Sequence, residues 1–353
     1  MRFDRNSMQG GIYQKDISKV IMNVPDIEKL KGKRILVTGA TGLICSAVVD
    51  ILFQLNLVND FCMSIFLAGR SGSRIKERFP YKKEGEDYTF IEYDSTYSRS
   101  VEGCFDYIIH GASNADPRRI INEPVETLLS NVVGLKCLLD NIVCNHCGRL
   151  LYVSSSEVYG NKNSNTPFSE SDYGFVDILN PRACYPVGKR AAESLCASYG
   201  NEYGVDFVIC RPGHIYGPTI TMGDSRASSQ FPRDIVSGKD IIMKSEGRQM
   251  RSYCYVLDCA SAILTIMLNG VSNNAYNISN KNSVCSIREM AEAFAFSGNK
   301  KIVYELPTEL ECKSYNMMNN SSLNATKLEA LGWKAEFSMS EGAKHTIDIL
   351  KGN

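Results

Sequence analysis

The stretch that most constrains the fold is "KRILVTGATGLICSAVVDIL", residues 33–52. A β-branched apolar run ends in two glycines three positions apart and passes at once into an apolar helical run, expected over 43–55. A strand that turns this tightly into a helix leaves free N–H groups at the helix start, where an anion is held without any side chain. Gly39 suits the tight turn, and Gly42 lets the backbone approach a pyrophosphate. With Thr41, Leu43 and Ile44 they form a candidate dinucleotide cradle. Cys45 stands where a third glycine would serve close helix-to-strand packing.

Runs of the same kind recur at "MSIFLAG" (63–69), "YTFIEY" (88–93), "DYIIHGA" (106–112), "RLLYVSS" (149–155) and "DFVICRP" (206–212), with helical stretches over 124–145 and 184–203 between them. Strands alternating with helices of this length imply right-handed crossovers and a parallel sheet covered on both faces. The expected fold class is α/β, a doubly wound sheet with a smaller C-terminal lobe. Past Arg211 the spacing becomes irregular and the loops rich in Gly, Ser, Asn and Pro. The expected organisation is an N-terminal extension at 1–31, a dinucleotide-binding domain at 32–211, and a mainly substrate-binding lobe at 212–353 that interleaves with it.

Composition narrows the class further. Across 353 residues, 44% are hydrophobic and 22% charged, and 39 basic residues balance 39 acidic ones, so no overall field favours nucleic acid or an anionic membrane. No run approaches the roughly 18 apolar residues of a spanning helix, and the leader lacks the apolar core of a signal peptide, which together point to a cytoplasmic protein. Its 13 cysteines are then expected to be mostly reduced. Cys144 and Cys147 form a C-x-x-C around His146, but no second pair is spaced to complete a metal site, and none is expected.

The end of the second strand bears on the cofactor. "LAGRSGSR" offers Arg70, Ser71 and Arg74 and no acid for a ribose 2′-hydroxyl, which favours NADP over NAD; the alternative is a solvated basic loop. Asp94 and Ser95, after the third strand, are placed to meet the adenine or to form a turn.

"RACYPVGKRAAESL" puts Tyr185 and Lys189 at i and i+4, on one face of a helix. A phenol with a pKa near 10 is a poor base at neutral pH unless a neighbouring ammonium stabilises its phenolate. One element earlier, "LLYVSSSEVYG" places Ser154, Ser155, Ser156 and Glu157 where a strand leaves the core.

This ordered set of T-G-x-x-G, a serine run at a strand end and Y-x-x-x-K resembles the extended short-chain dehydrogenase/reductases. Within them it is similar to the nucleotide-sugar epimerases, dehydratases and decarboxylases, and "NPRACYPVGKRAAE" looks most like the UDP-glucuronate decarboxylases. The resemblance runs from about Lys33 to the C-terminus and implies a Rossmann-like sheet, an NAD(P) cofactor, a nucleotide-diphosphate sugar as ligand, and a homodimer formed through the Tyr-Lys helix and its neighbour. It places Gly111, Ala112 and Ser113 of "HGAS" and Asn131 at the cofactor. Ser155 falls on the residue that holds the hydroxyl being oxidised, and Ser156 and Glu157 on the pair that separates subfamilies. Arg251 and Arg226 fall on nucleotide-side arginines, and His214 stands where the family has a substrate-contacting asparagine.

The chemistry implied is oxidation at sugar C4 with Tyr185 as base, giving a 4-ketone. If C6 is a carboxylate the product is a β-keto acid that loses carbon dioxide, after which Glu157 or Arg251 helps reprotonate C5. If C6 is a hydroxymethyl group, Glu157 acts as base in an elimination that also wants a proton donor, and Ser156 is a poor one. Decarboxylation is therefore favoured. The alternatives are a 4,6-dehydratase, a 4-epimerase, for which Glu157 would be superfluous, and more remotely a catalytically silent dinucleotide sensor.

Overall fold

The computed structural model describes residues 11–97, 101–162, 164–308 and 318–352. Its strands are β1 (Arg34–Thr38), β2 (Ser64–Gly69), β3 (Thr89–Glu92), β4 (Tyr107–His110), β5 (Arg149–Val153), β6 (Phe207–Pro212), β7 (His214–Tyr216), β8 (Ile241–Met243), β9 (Met250–Tyr255), β10 (Asn274–Ile278), β11 (Val284–Ser286), β12 (Ile302–Tyr304) and β13 (Asn320–Ser321). Seven of them form one sheet in the order β3-β2-β1-β4-β5-β6-β10. Every neighbouring pair is parallel. Strand order reverses between β1 and β4, the switch point at which open α/β sheets bind ligands.

The helices are α1 (Gly11–Ile21), α2 (Leu43–Asn59), α3 (Gly72–Arg78), α4 (Pro117–Asn122), α5 (Pro124–Asn145), α6 (Cys184–Tyr203), α7 (Ala227–Val236), α8 (Val256–Asn269) and α9 (Ile287–Gly298), followed by Thr326–Glu329 and Met339–Leu350. The strand period of two divides β1 between two cores. Ile35 and Val37 pack into the core that contains α2 and α8, whereas Leu36 packs into the one that contains α5 and α6. Helix α8 is buried from Val256 to Leu268, as expected of a helix that is apolar all round. The chain returns through α8 to β10, so the large sheet is completed by residues that follow the irregular segment.

Two findings depart from the sequence reading. Helix α5 is, by length and composition, long and apolar enough to cross a membrane, but 56% of its most apolar window is buried in the fold. Its apolar residues instead cover the sheet and meet α6. Cys147 is paired in a disulfide with Cys104, with Cα atoms 6.2 Å apart, while Cys144 is free; β4 and β5 run side by side and bring their leading segments together across a gap of 43 residues. His146 takes the left-handed conformation that ends α5.

The extension has a structural role that its sequence did not reveal. Residues 1–10 lie outside the described residues, but α1 carries Tyr13, whose hydroxyl donates to Asp50 of α2 at 2.7 Å. It also carries Asp16, which accepts from Tyr255 of β9 at 3.1 Å and meets His345 Nδ1 of the C-terminal helix at 2.9 Å. Tyr13 and Asp16 are both buried, so α1 is keyed into α2, β9 and the last helix at once.

Candidate active site

The turn between β1 and α2 opens into a cleft of about 1330 Å³ that runs across the switch point. Gly39 is left-handed at φ 69°, and a Cβ there would come 2.8 Å from the Gly111 carbonyl and 2.9 Å from the Ala112 nitrogen. Only glycine lets these two loops meet. Gly42 caps α2 without any side-chain hydrogen bond, leaving the helix start to backbone N–H groups. Cys45 fits the third position because it packs against Gly111, where a Cβ would fall on its sulfur. A glycine cradle, an open helix start and a long cleft suit a dinucleotide pyrophosphate.

The cleft brings together Gly39, Thr41, Gly42, Leu43, Ile44, Arg70, Ser71, Arg74, Asp94, Ser95, Gly111, Ala112, Ser113, Ser155, Tyr185, Lys189 and Arg226. At its β2 end a side pocket is lined by Arg70, Ser71, Arg74 and Arg119. Asp94 lines the cleft and also closes a turn, accepting from the Thr96 nitrogen at 2.9 Å and its hydroxyl at 2.7 Å. Asn131 does not reach the cleft. It lies fully buried beneath it, accepting from Ser113 at 3.0 Å and Tyr152 at 3.1 Å and donating to the Thr127 carbonyl at 2.7 Å.

Tyr185 and Lys189 both point inward from α6, but they do not pair. Lys189 donates to the Val153 carbonyl at 2.8 Å, its ammonium 4.8 Å from the centre of the Tyr152 ring and 5.9 Å from that of Tyr185. Burial lowers the Lys189 pKa to about 8. Tyr185 is raised to about 12, first by burial and then by the Glu157 carboxylate, against a hydrogen bond with Ser155 and the charges of Arg226 and Arg182. The charges of Arg226 and Arg182 favour its phenolate, and the Lys189 ammonium donates to a backbone carbonyl.

Beyond Ser155 the chain forms a 3-10 turn, Ser156–Tyr159, with the Ser155 hydroxyl accepting from the Glu157 nitrogen at 3.2 Å. Ser156 is buried and does not line the cleft. Glu157 is gripped by Arg182, which donates to its two oxygens at 2.8 and 3.0 Å. Arg226 is paired with Asp224 through its Nε at 2.9 Å and Nη2 at 2.5 Å. Arg251 is buried and donates to the Met250 and Met318 carbonyls, both at 2.9 Å; burial pushes its pKa down, and Tyr253 and Glu157 push it back. Burial and the charges of Arg251 and Arg226 hold His214 near 3, so its ring is neutral, and Nδ1 is buried without a partner. Tyr185 thus lies in the field of Glu157 and Arg226, Arg251 in that of Glu157, and the neutral His214 in that of Arg226 and Arg251, although His214, Glu157 and Arg251 do not line the open cleft.

Sequence reasoning missed the layer beneath. Ser154 does more than end β5: its hydroxyl donates to Glu193 at 2.5 Å, and Glu193 takes both ends of the buried Arg211 guanidinium at 2.6 and 3.0 Å. Arg211 also donates to Tyr159, which donates to Asn277. Glu193 lies four residues beyond Lys189, so Tyr185, Lys189 and Glu193 make one stripe along α6. Arg182 lies three residues before Tyr185. Both spacings were legible signals.

The profile of the NAD dependent epimerase/dehydratase family matches residues 35–279.

The chain belongs to the NAD dependent epimerase/dehydratase family.

Within that family, it is 30% identical over 312 residues to UDP-glucuronic acid decarboxylase 6 of Arabidopsis thaliana, covering 88% of this chain and 86% of that protein. It is 29% identical over 325 residues to UDP-glucuronic acid decarboxylase 1 of Xenopus tropicalis, covering 90% of this chain and 72% of that protein. Among family folds, a dTDP-glucose 4,6-dehydratase of Streptomyces venezuelae solved with NAD superposes with a TM-score of 0.75 at 23% identity, covering 91% of this chain and 97% of that one. A UDP-glucose 4-epimerase of Thermotoga maritima solved with UDP-glucose gives 0.74 at 22% identity, covering 90% and 98%. These last two likenesses carry the Rossmann-like sheet and nothing finer.

Proposed function

We propose that this chain is an NAD(P)-dependent enzyme that oxidises C4 of a nucleotide-linked uronic acid and then decarboxylates it, as the names of its decarboxylase relatives describe for them. The observation that carries the reading is the meeting of Ser155 and Tyr185 in the cleft wall, with Glu157 close enough to act on the tyrosine's charge. When bound, the dinucleotide supplies the hydride acceptor for C4 oxidation and the donor for the final reduction. Ser155 holds the C4 hydroxyl while Tyr185 takes its proton, and Lys189 ties the end of β5, which leads into Ser155, to the helix that carries Tyr185. Loss of carbon dioxide from a 4-keto uronate breaks C5–C6 and leaves its electron pair on C5, delocalised onto the ketone. Arg251 and Glu157 are the groups assigned to that edge of the sugar.

Dehydration is the second reading. It needs a free base and a proton donor flanking C5 and C6, whereas both Glu157 oxygens are engaged and Ser156 is buried off the cleft. The β-keto acid route needs neither group to start.

Cofactor choice, oligomer and domain division belong to the same proposal. Arg70, Ser71, Arg74 and Arg119 suit a 2′-phosphate, favouring NADP. Val125, Leu128 and Leu129 are exposed on α5, which lies along α6, and that pair of helices is the face proposed for a homodimer. Residues 32–211 are assigned to the cofactor and 212–353 mainly to the sugar nucleotide, in a cytoplasmic enzyme. Incubation with UDP-glucuronate, UDP-glucose, GDP-mannose and dTDP-glucose, read by mass spectrometry, tests the reaction: loss of carbon dioxide from the uronate supports it. Loss of water, or an unchanged mass with altered retention, would replace it with dehydration or epimerisation.

A further inference from the structure

Tyr185 sits between opposed charges. Ser155 and Glu157 face it from the turn after β5, Arg182 from the turn before α6, and Arg226, itself paired with Asp224, from the start of α7. On its own helix Lys189 is tied to the Val153 carbonyl, and Tyr152 of β5 lies beneath. Cys184 also lies in the field of Arg182 and Glu157.

The Arg182–Glu157 pair is bidentate, with side chains only 18% and 20% exposed. Planar, two-point contact of this kind fixes orientation as well as charge, and an ammonium cannot reproduce it. A lone carboxylate beside a phenol opposes loss of the phenol's proton; a carboxylate already joined to a guanidinium opposes it far less.

We propose that Arg182 is a positioning residue that holds Glu157 as a neutralised pair beside Tyr185, so that a carboxylate used late in the reaction does not silence the base used first. The inference rests on the function proposed above, and it goes beyond it by making the two roles interdependent. Removing Arg182 leaves Glu157 unopposed beside the tyrosine. Removing Glu157 takes away the carboxylate that offsets the Arg182 charge, and removing both restores the balance. The two single variants must therefore act with opposite sign.

The experiment is single-turnover C4 oxidation, followed as nicotinamide reduction by UDP-glucuronate across pH, in the wild type, Arg182→Gln, Arg182→Lys, Glu157→Gln and the double Gln variant. This step precedes any proton transfer by Glu157, so every variant is scored. The acid limb, which reports Tyr185, is expected to move up by about one pH unit in Arg182→Gln and down in Glu157→Gln. In the double variant it returns close to the wild type, and in Arg182→Lys it lies between wild type and Arg182→Gln. Shifts of the same sign in both single Gln variants, no shift in either, or summed losses in the double variant overturn the proposal. Carbon-13 NMR of ring-labelled tyrosine, with Tyr185 assigned from Tyr185→Phe, reads the same order without substrate. It decides the Arg182 role even if the wild type oxidises no uronate, a result that would overturn the functional reading instead.

Discussion

Cys45 and Gly111 occupy one another's space: a Cβ added to Gly111 would fall on the Cys45 sulfur. The helix that starts the cradle and the strand end that faces it therefore close without a third glycine. Gly111→Ala is expected to push α2 away from the cleft, costing about 1–3 kcal/mol of stability and weakening dinucleotide binding at least tenfold. Titration of the purified variant with NAD and NADP checks this, and undiminished affinity would show that the contact is not structural.

Glu193 should be the most costly single loss under the site. Arg211 is 3% exposed, and Glu193 answers it from both oxygens. Glu193→Ala leaves a buried guanidinium with only Tyr159 and the Glu170 carbonyl, and should destabilise the fold by about 3–5 kcal/mol. Urea unfolding measures it; a cost below about 1 kcal/mol would mean that those two acceptors suffice.

His110 makes stability depend on pH. Burial lowers its pKa to about 3, with Nδ1 2.7 Å from the Thr38 hydroxyl and Nε2 buried without a partner. The unfolded chain takes up a proton near 6.5 that the folded chain refuses, so this contribution is complete above about pH 7 and is lost as pH falls from about 6.5 towards 3. His214 acts in the same direction. The stability difference between wild type and His110→Asn should shrink over that window, and a difference that stays constant with pH would contradict the assignment.

The fold was legible because its signals are local. A glycine turn between strand and helix, and the alternation that follows it, depend on neighbours in sequence. The i, i+4 spacing of Tyr185 and Lys189 likewise placed both on one face of α6, but it carried no information about the Val153 carbonyl that takes the ammonium. The resemblance set Asn131 at the cofactor; its helix passes the cleft, and its side chain turns down to Ser113 and Tyr152. Cys104 and Cys147 meet through the sheet, Tyr13 and Asp50 through the packing of α1 on α2, and no spacing announces either pair.

Arg70 and Arg74 should decide between the two nicotinamide dinucleotides. With Arg119 and Ser71 they line the pocket at the β2 end. The double variant Arg70→Ser, Arg74→Ser is expected to lose NADP affinity at least tenfold while NAD changes less than about threefold. Equal losses would make the loop a general anion attractor.

The most direct test of the whole account is the fate of C6. UDP-glucuronate carrying carbon-13 at C6 is incubated with the enzyme and its cofactor, and both the gas phase and the sugar nucleotide are analysed. The account predicts labelled carbon dioxide, an unlabelled pentose nucleotide and cofactor returned to its oxidised form; label retained in the sugar nucleotide of a chain that has oxidised C4 would contradict it.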